Sequence, residues 1–175
     1  HKKFEQEDGT DPFQFFSESG TGANAFTSFN STQYVCYGTK QFERNLEYLL
    51  KYVNSPYFTD ENVEKEKGII KEEIKRQEDI PEWVLEMKIR EAVYKEHPRR
   101  ISIAGEVEDI DGITKEELYD CYNTFYQPNN MFLVAIGNFS IESAMAIIKK
   151  ELGTKVNTQG KPRIRRVKEP KNVAN

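Results

Sequence analysis

From Phe42 to Leu152 the apolar residues of this chain recur at helical spacing in one segment after another. The first of these segments has its apolar residues on one face, as in an amphipathic helix: Phe42, Leu46, Leu49, Leu50 and Val53. Further helices are predicted at about 59–78, 81–96, 114–126 and 141–152, and an earlier one begins at Thr10-Asp11-Pro12. The chain is therefore predicted to be mainly helical.

Only three short segments are typical of strands. Residues 23–29 and 33–37 are rich in Thr, Phe, Tyr and Val and flank Asn30-Ser31, so we predict a hairpin. Met131 to Ile136 is continuously apolar and is predicted to be a buried strand. The order helix, hairpin, several helices, strand and helix predicts the α+β class, with an antiparallel or mixed sheet flanked by several helices.

Composition is that of an ordinary globular protein, with 37% hydrophobic and 31% charged residues. The longest apolar run is far too short to span a membrane, and no membrane partner is expected. Cys36 and Cys121 are too few and too far apart for a disulfide scaffold. We interpret them as buried thiols in a reducing compartment and expect a cytoplasmic location.

A basic segment follows Gly153, with seven Lys and Arg residues against one acid, Glu169. Such a segment can contact a phosphate backbone, but its Gly, Pro and Asn content is more typical of a solvated linker. Because the net charge of the chain is −4, we expect no nucleic-acid partner. We predict a domain over 1–153 and a basic linker over 154–175 that leads toward a further domain.

Two glutamates lie on the apolar face of the third predicted helix. Winding the helix at about 100° per residue from Val63 gives an apolar arc that runs from Ile69 round to Ile74. Glu66 and Glu73 fall inside this arc, nearly in line and about 10 Å apart along the axis. The other charged residues lie outside the arc and are expected to be solvated: Glu64, Lys65, Lys67, Lys71, Glu72, Lys75 and Arg76.

A carboxylate that faces a core is costly unless something pairs with it. One explanation is a buried ion pair, or hydrogen bonds to backbone amides. The other is that one carboxylate ligates a metal, while the second supports the site without contacting the metal itself. The helix alone does not decide between them.

Four parts of the chain resemble the insulinase-type (pitrilysin) zinc peptidases, particularly the bacterial branch related to the mitochondrial processing peptidases. His1-Lys2-Lys3-Phe4-Glu5 is similar to the end of the inverted H-x-x-E-H motif and the helical turn after it. Gly22 to Thr27 resembles the substrate-binding edge strand, with Thr32 and Tyr34 in the strand that follows. Glu64 to Ile74 resembles the helix of the third zinc ligand. The remaining landmarks are His97-Pro98, Gly105 and Tyr126 to Met131.

The resemblance implies a Zn²⁺ site for metal-assisted peptide hydrolysis. His1 matches the second histidine ligand, Glu73 the glutamate ligand, and Glu66 the acid that supports the site. A residue left by an affinity tag is the rival explanation for His1. The first histidine and the general-base glutamate match positions upstream of His1, so the chain is expected to be an incomplete half-domain that lacks its first strands.

The resemblance also implies how substrate binds. A peptide or unfolded polypeptide would add a strand along Asn24, Ala25, Phe26 and Thr27. A second homologous half-domain or partner subunit would enclose it. The expected function is a zinc-dependent endopeptidase, and the alternative is a non-catalytic structural or regulatory subunit of the same fold.

Overall fold

The structure is a computed structural model that describes residues 6, 7, 9, 11–153 and 167–170. In chain order its main elements are α1 (Pro12–Glu18), β1 (Gly22–Thr27), β2 (Thr32–Tyr37), α2 (Phe42–Asn54), α3 (Asp60–Glu78), α4 (Pro81–Val93), α5 (Val107–Asp111), α6 (Lys115–Phe125) and α7 (Ile141–Leu152). Single-turn 3-10 helices lie at Pro98–Arg100 and Pro128–Asn130. The predicted α+β class is confirmed. None of the helices in this described part combines the length and apolarity needed to cross a bilayer.

The chain forms two compact units. The first comprises the described residues within His1–Thr27, Ser31–Phe58 and Glu116–Pro162, and so contains the hairpin strands with α1, α2, α7 and nearly all of α6. The second comprises the described residues within Ser28–Asn30, Thr59–Lys115 and Arg163–Asn175, and so contains α3, α4 and α5. Each unit has its own buried apolar side chains.

The core of the first unit lies between α2 and α7. Leu46 and Leu50 are buried together with Ala144, and the ring of Phe42 stacks on that of Phe139 at a centroid distance of 4.0 Å. Positions 42, 46 and 50 are four residues apart, so they share one face of the helix, as predicted. Each large side chain buried in this way contributes roughly 1.5–3 kcal/mol.

The predicted hairpin is confirmed. β1 and β2 pair antiparallel, in a register that runs from Gly22 opposite Tyr37 to Thr27 opposite Thr32. The first strand ends at Thr27 rather than at Phe29 because the residues after it form the turn, where Ser28 Oγ donates to Asn30 Oδ1 at 3.1 Å. These two strands are the whole sheet in the described residues.

A small buried polar network joins the end of α1, the residue before β1 and the first turn of α2. Asn45 Nδ2 donates to Thr21 Oγ1 at 2.7 Å and to the carbonyl of Lys40 at 3.2 Å. Ser19 Oγ donates to Asn45 Oδ1 at 3.1 Å. All three side chains are buried, and burial of polar groups is tolerated only when they bond one another in this way. The network therefore fixes where the chain enters the hairpin.

The prediction of a buried strand at 131–136 is wrong for the described structure. The segment has an extended start at Met131 but forms no ladder, and its side chains face solvent, with Phe132 88% and Ile136 91% exposed. A strand requires a neighbouring strand for its amides and carbonyls. The only strands in the described residues, β1 and β2, pair with each other. The backbone of the apolar run therefore has no strand to pair with among the described residues.

The segment after His97, predicted to be irregular, contains the short helix α5. Its start is held by Glu106 and Asp109, where Glu106 N donates to Asp109 Oδ2 at 3.3 Å, and Ile110 is its buried side chain. Glutamate is not among the favoured residues at a helix N-cap. The sequence therefore carried little signal for this helix.

The expectation of two buried thiols is correct in part. Cys36 is half-buried in β2, whereas Cys121 is exposed on α6. Tyr122, the next residue, occupies the buried face of that helix. Adjacent residues on a helix point about 100° apart, so Cys121 is turned toward solvent.

We expect Asn45→Ala to lower the free energy of unfolding by about 1–3 kcal/mol, because it leaves the buried Thr21 and Ser19 hydroxyls without this partner. Urea unfolding followed by circular dichroism measures the loss. The matched control is Asn54→Ala in the same helix, where Nδ2 donates to the carbonyl of Leu50, and its loss should be smaller. Equal losses in the two variants would contradict a special role for the network.

Candidate metal and substrate site

α3 carries both candidate glutamates and begins at a capping box. Thr59 Oγ1 accepts from Asn62 N at 3.1 Å, and Asn62 Oδ1 accepts from Thr59 N at 2.9 Å. Acidic residues lie in its first turn and basic residues in its last, which offsets the helix dipole. Glu66 and Glu73 thus lie about two turns apart on a well-terminated helix.

The acids of α3 fall into two classes. Glu66 and Glu73 are half-buried, on the same helix as the buried Val63 and Ile74, and Glu66 Oε1 is shielded from solvent. By contrast, the side chains of Glu64 and Glu72 are 70% and 71% exposed. The periodicity therefore predicted correctly which acids of this helix are withdrawn from solvent.

The lysines of α3 differ from the prediction. Lys75 is exposed as expected, but Lys67 and Lys71 are not, and the side chain of Lys67 is only 12% exposed. Both turn to the end of α5, where Lys71 pairs with the Asp111 carboxylate and Lys67 Nζ donates to the Asp111 carbonyl at 3.1 Å. The Lys71 ammonium holds the pKa of Asp111 below its usual range. The helical wheel could not reveal this contact because Asp111 lies on another element.

A carboxylate oxygen is a usual donor for Zn²⁺, so Glu73 and Glu66 fit the metal by donor type. His1, the predicted histidine ligand, lies outside the described residues. Within the described ranges, no three His, Cys, Asp or Glu side chains are grouped so as to hold a metal ion. The assignment of His1, Glu73 and Glu66 stays a prediction.

The candidate substrate strand is an edge in the described sheet. β1 pairs with β2 on one side, and no other described strand lies on its second side. Asn24, Phe26 and Thr27 are exposed and Ala25 is half-buried. The Ala25 amide donates to Asn24 Oδ1 at 3.0 Å. A strand with an open edge can pair with an extended peptide, so the geometry is compatible with the predicted role.

Four tyrosines hold the hairpin from the side of β2. Tyr34, which lies opposite Ala25 in the register, shares a hydroxyl–hydroxyl hydrogen bond of 2.8 Å with Tyr126, and its ring meets the edge of Tyr52. Tyr126 stacks on Tyr122, whose hydroxyl donates to the carbonyl of Val53 at 2.8 Å. The tyrosines tie the middle of β2 to α2 and to the end of α6.

Burial raises the pKa of two of these tyrosines, Tyr34 and Tyr122. Desolvation, followed by the hydrogen bond to Tyr126, raises the pKa of Tyr34 far above its ordinary value of 10.0. Desolvation also raises the pKa of Tyr122 to about 12. In the sequence, Tyr34 and Tyr126 stand out only as landmarks of the family resemblance. The spacing of Tyr122 and Tyr126, one helical turn apart, was the available sign that they share a face.

Two family models match the chain. Residues 2–107 match the model described as insulinase (peptidase family M16), and residues 112–175 match the model described as the peptidase M16 inactive domain. The candidate strand residues 24–27, Glu66 and Glu73 fall inside the first match. His1 precedes it by one position.

Similar proteins span far more chain than this one. The "Uncharacterized zinc protease YmfH" of Bacillus subtilis (strain 168) is 50% identical over 95% of this chain, which is 38% of that protein. The "Probable inactive metalloprotease YmfF" of the same organism is 27% identical over 70% of this chain and 30% of its own length. The crystal structure of an M16-like peptidase from Alicyclobacillus acidocaldarius is 41% identical, with a TM-score of 0.89 over 99% of this chain and 41% of that chain. The chain therefore covers less than half of each.

For the tyrosine cluster we predict coupling between Tyr34 and Tyr126. Each single Tyr→Phe change leaves one half-buried hydroxyl without this partner and should lower the free energy of unfolding by about 1 kcal/mol. The double variant removes both hydroxyls, so its loss should be smaller than the sum of the single losses. Urea unfolding of the four proteins measures this cycle, and strictly additive losses would show that the two hydroxyls do not interact.

Proposed function

Because the chain belongs to the insulinase family (peptidase family M16), we propose that the complete protein is a zinc-dependent endopeptidase of the insulinase and processing-peptidase type. The observation that carries the proposal is the pair Glu66 and Glu73, withdrawn from solvent on a helix whose other glutamates are exposed. Relatives named as zinc proteases support the choice of metal.

In this proposal Glu73 and His1 are zinc ligands, the first as a carboxylate oxygen donor and the second as an imidazole. Bound zinc would supply Lewis-acid activation of the scissile peptide group. Glu66 keeps the site in place, a role that suits a carboxylate with an oxygen shielded from solvent. The general base is the motif glutamate that the family resemblance places upstream of His1.

Substrate is proposed to bind along the open edge of β1. The main-chain amides and carbonyls of residues 24–27 would bond an extended peptide largely independently of its side chains. The exposed ring of Phe26 offers an apolar contact beside them.

The basic segment 154–175 is proposed to lead to a second half-domain or partner that encloses the peptide, because the relatives are more than twice as long as this chain.

A non-catalytic subunit of the same fold is the second candidate. It is supported by the similarity to YmfF and by the match of residues 112–175 to a domain described as inactive. The two candidates differ in what precedes His1 in the complete protein. An H-x-x-E sequence there would supply the missing ligand and base, whereas its absence would favour the non-catalytic subunit.

The proposal is tested on the complete protein by measuring zinc content and cleavage of an unfolded peptide. We expect Glu73→Gln to lose most of the zinc and the activity, because a neutral amide is a poorer ligand than a carboxylate. Glu66→Gln should keep most of the zinc and lose about 10–100-fold in activity, as expected for a residue that supports a ligand. A chelator should abolish cleavage by the unaltered protein.

The matched control is Glu72→Gln, the same change at the neighbouring exposed position. It should leave zinc content and cleavage unchanged. Full zinc and full activity in Glu73→Gln, or an equal loss in Glu72→Gln, would contradict the assignment. An unaltered protein that neither binds zinc nor cleaves peptides would instead support the non-catalytic subunit.

A further inference from the structure

A carboxylate of the basic C-terminal segment is bound by three consecutive backbone amides. Lys95 N donates to Glu169 Oε2 at 2.8 Å, and Glu96 N donates to Oε1 at 3.1 Å. His97 N also donates to Oε1. All of these residues belong to the second unit, and the amides lie between the end of α4 and the 3-10 helix at Pro98–Arg100.

The local backbone explains why these amides are available. α4 ends with Tyr94 N donating to the carbonyl of Arg90, so the amides that follow lie beyond the helix. The next helix begins at Pro98, which has no amide hydrogen, and His97 Nδ1 accepts from Arg99 N at 3.2 Å. Successive amides that converge on one point form an anion-binding concavity.

The occupant is selected by sequence as well as by geometry. Glu169 is the one acid among seven basic residues in 154–175, and it is the residue whose side chain reaches the three amides. Desolvation of this carboxyl raises its pKa, but the hydrogen bonds from the three amides outweigh that effect, and the pKa lies below its ordinary value. The bound form is therefore the carboxylate.

We propose that residues 95–97 form a carboxylate-binding site whose ligand is Glu169, and that this clamp anchors residues 167–170 within the second unit. The clamp uses only amides and one side chain of this chain and requires no zinc. Only the link between this segment and the proposed further domain rests on the proposed function.

Hydrogen exchange of the complete protein, followed by mass spectrometry, tests the clamp at the amides of 95–97. In Glu169→Gln their exchange should accelerate on the order of tenfold, because a hydrogen bond to a charged acceptor is replaced by one to a neutral acceptor. Exchange in α2, which belongs to the first unit, should not change and reports that the fold is intact. Unchanged exchange at 95–97 would overturn the proposal.

Two further variants separate the clamp from a general effect of charge. Glu96→Gln removes a carboxylate from the same turn and leaves Glu169 in place, so the three amides should stay protected. Glu169→Asp keeps the charge but is shorter by one methylene, so protection should be intermediate. The clamp is refuted if Glu96→Gln accelerates exchange as much as Glu169→Gln, or if Glu169→Asp protects fully. Zinc and peptidase activity do not enter this measurement, so its outcome is independent of the proposed function.

Discussion

The hairpin depends on a buried amide side chain. Asn45 bonds Thr21 and Ser19 at once, and it can do so only when the first turn of α2 lies against the residue that precedes β1. A displacement of either element would break these hydrogen bonds, at a cost of about 1–3 kcal/mol for a buried polar group left unsatisfied. The hydrogen bonds of Asn45 therefore fix the start of β1 independently of its pairing with β2.

The same hairpin is held from its other strand by aromatic side chains. Tyr34 and Tyr126 share their hydroxyls, and the rings of Tyr52 and Tyr122 pack beside them. All of these anchors attach through β2 or through the residues before β1. In the described first unit these hydrogen bonds and ring contacts involve β2, α2 and the residues before β1, and none of them uses the outer edge of β1. Anchoring of this kind fixes the position of the hairpin.

Helices were predictable here, and long-range partners were not. The spacing of Phe42, Leu46 and Leu50 is a local signal, and it placed α2 correctly. The run Met131 to Ile136 has the composition of a buried strand, but a strand forms only where a neighbouring strand can pair with its backbone, and local composition does not reveal such a neighbour.

The same limit applies to the side chains of α3. The periodicity separated Glu66 and Glu73 from the exposed glutamates, but it misplaced Lys67 and Lys71 because their partner Asp111 lies about forty residues away. The pairing of Tyr34 with Tyr126 and the clamp on Glu169 depend in the same way on residues distant in sequence.

The proposed function depends on Glu73 as a zinc ligand, and anomalous diffraction from crystals of the complete protein grown with zinc can test this assignment. Data collected on both sides of the zinc absorption edge locate the metal without reference to activity. We predict one strong peak, with a Glu73 carboxylate oxygen at about 2.0–2.2 Å and an imidazole nitrogen of His1 at about 2.0–2.1 Å. A fully occupied zinc peak coordinated by other residues, with Glu73 bound only to protein groups, would contradict it.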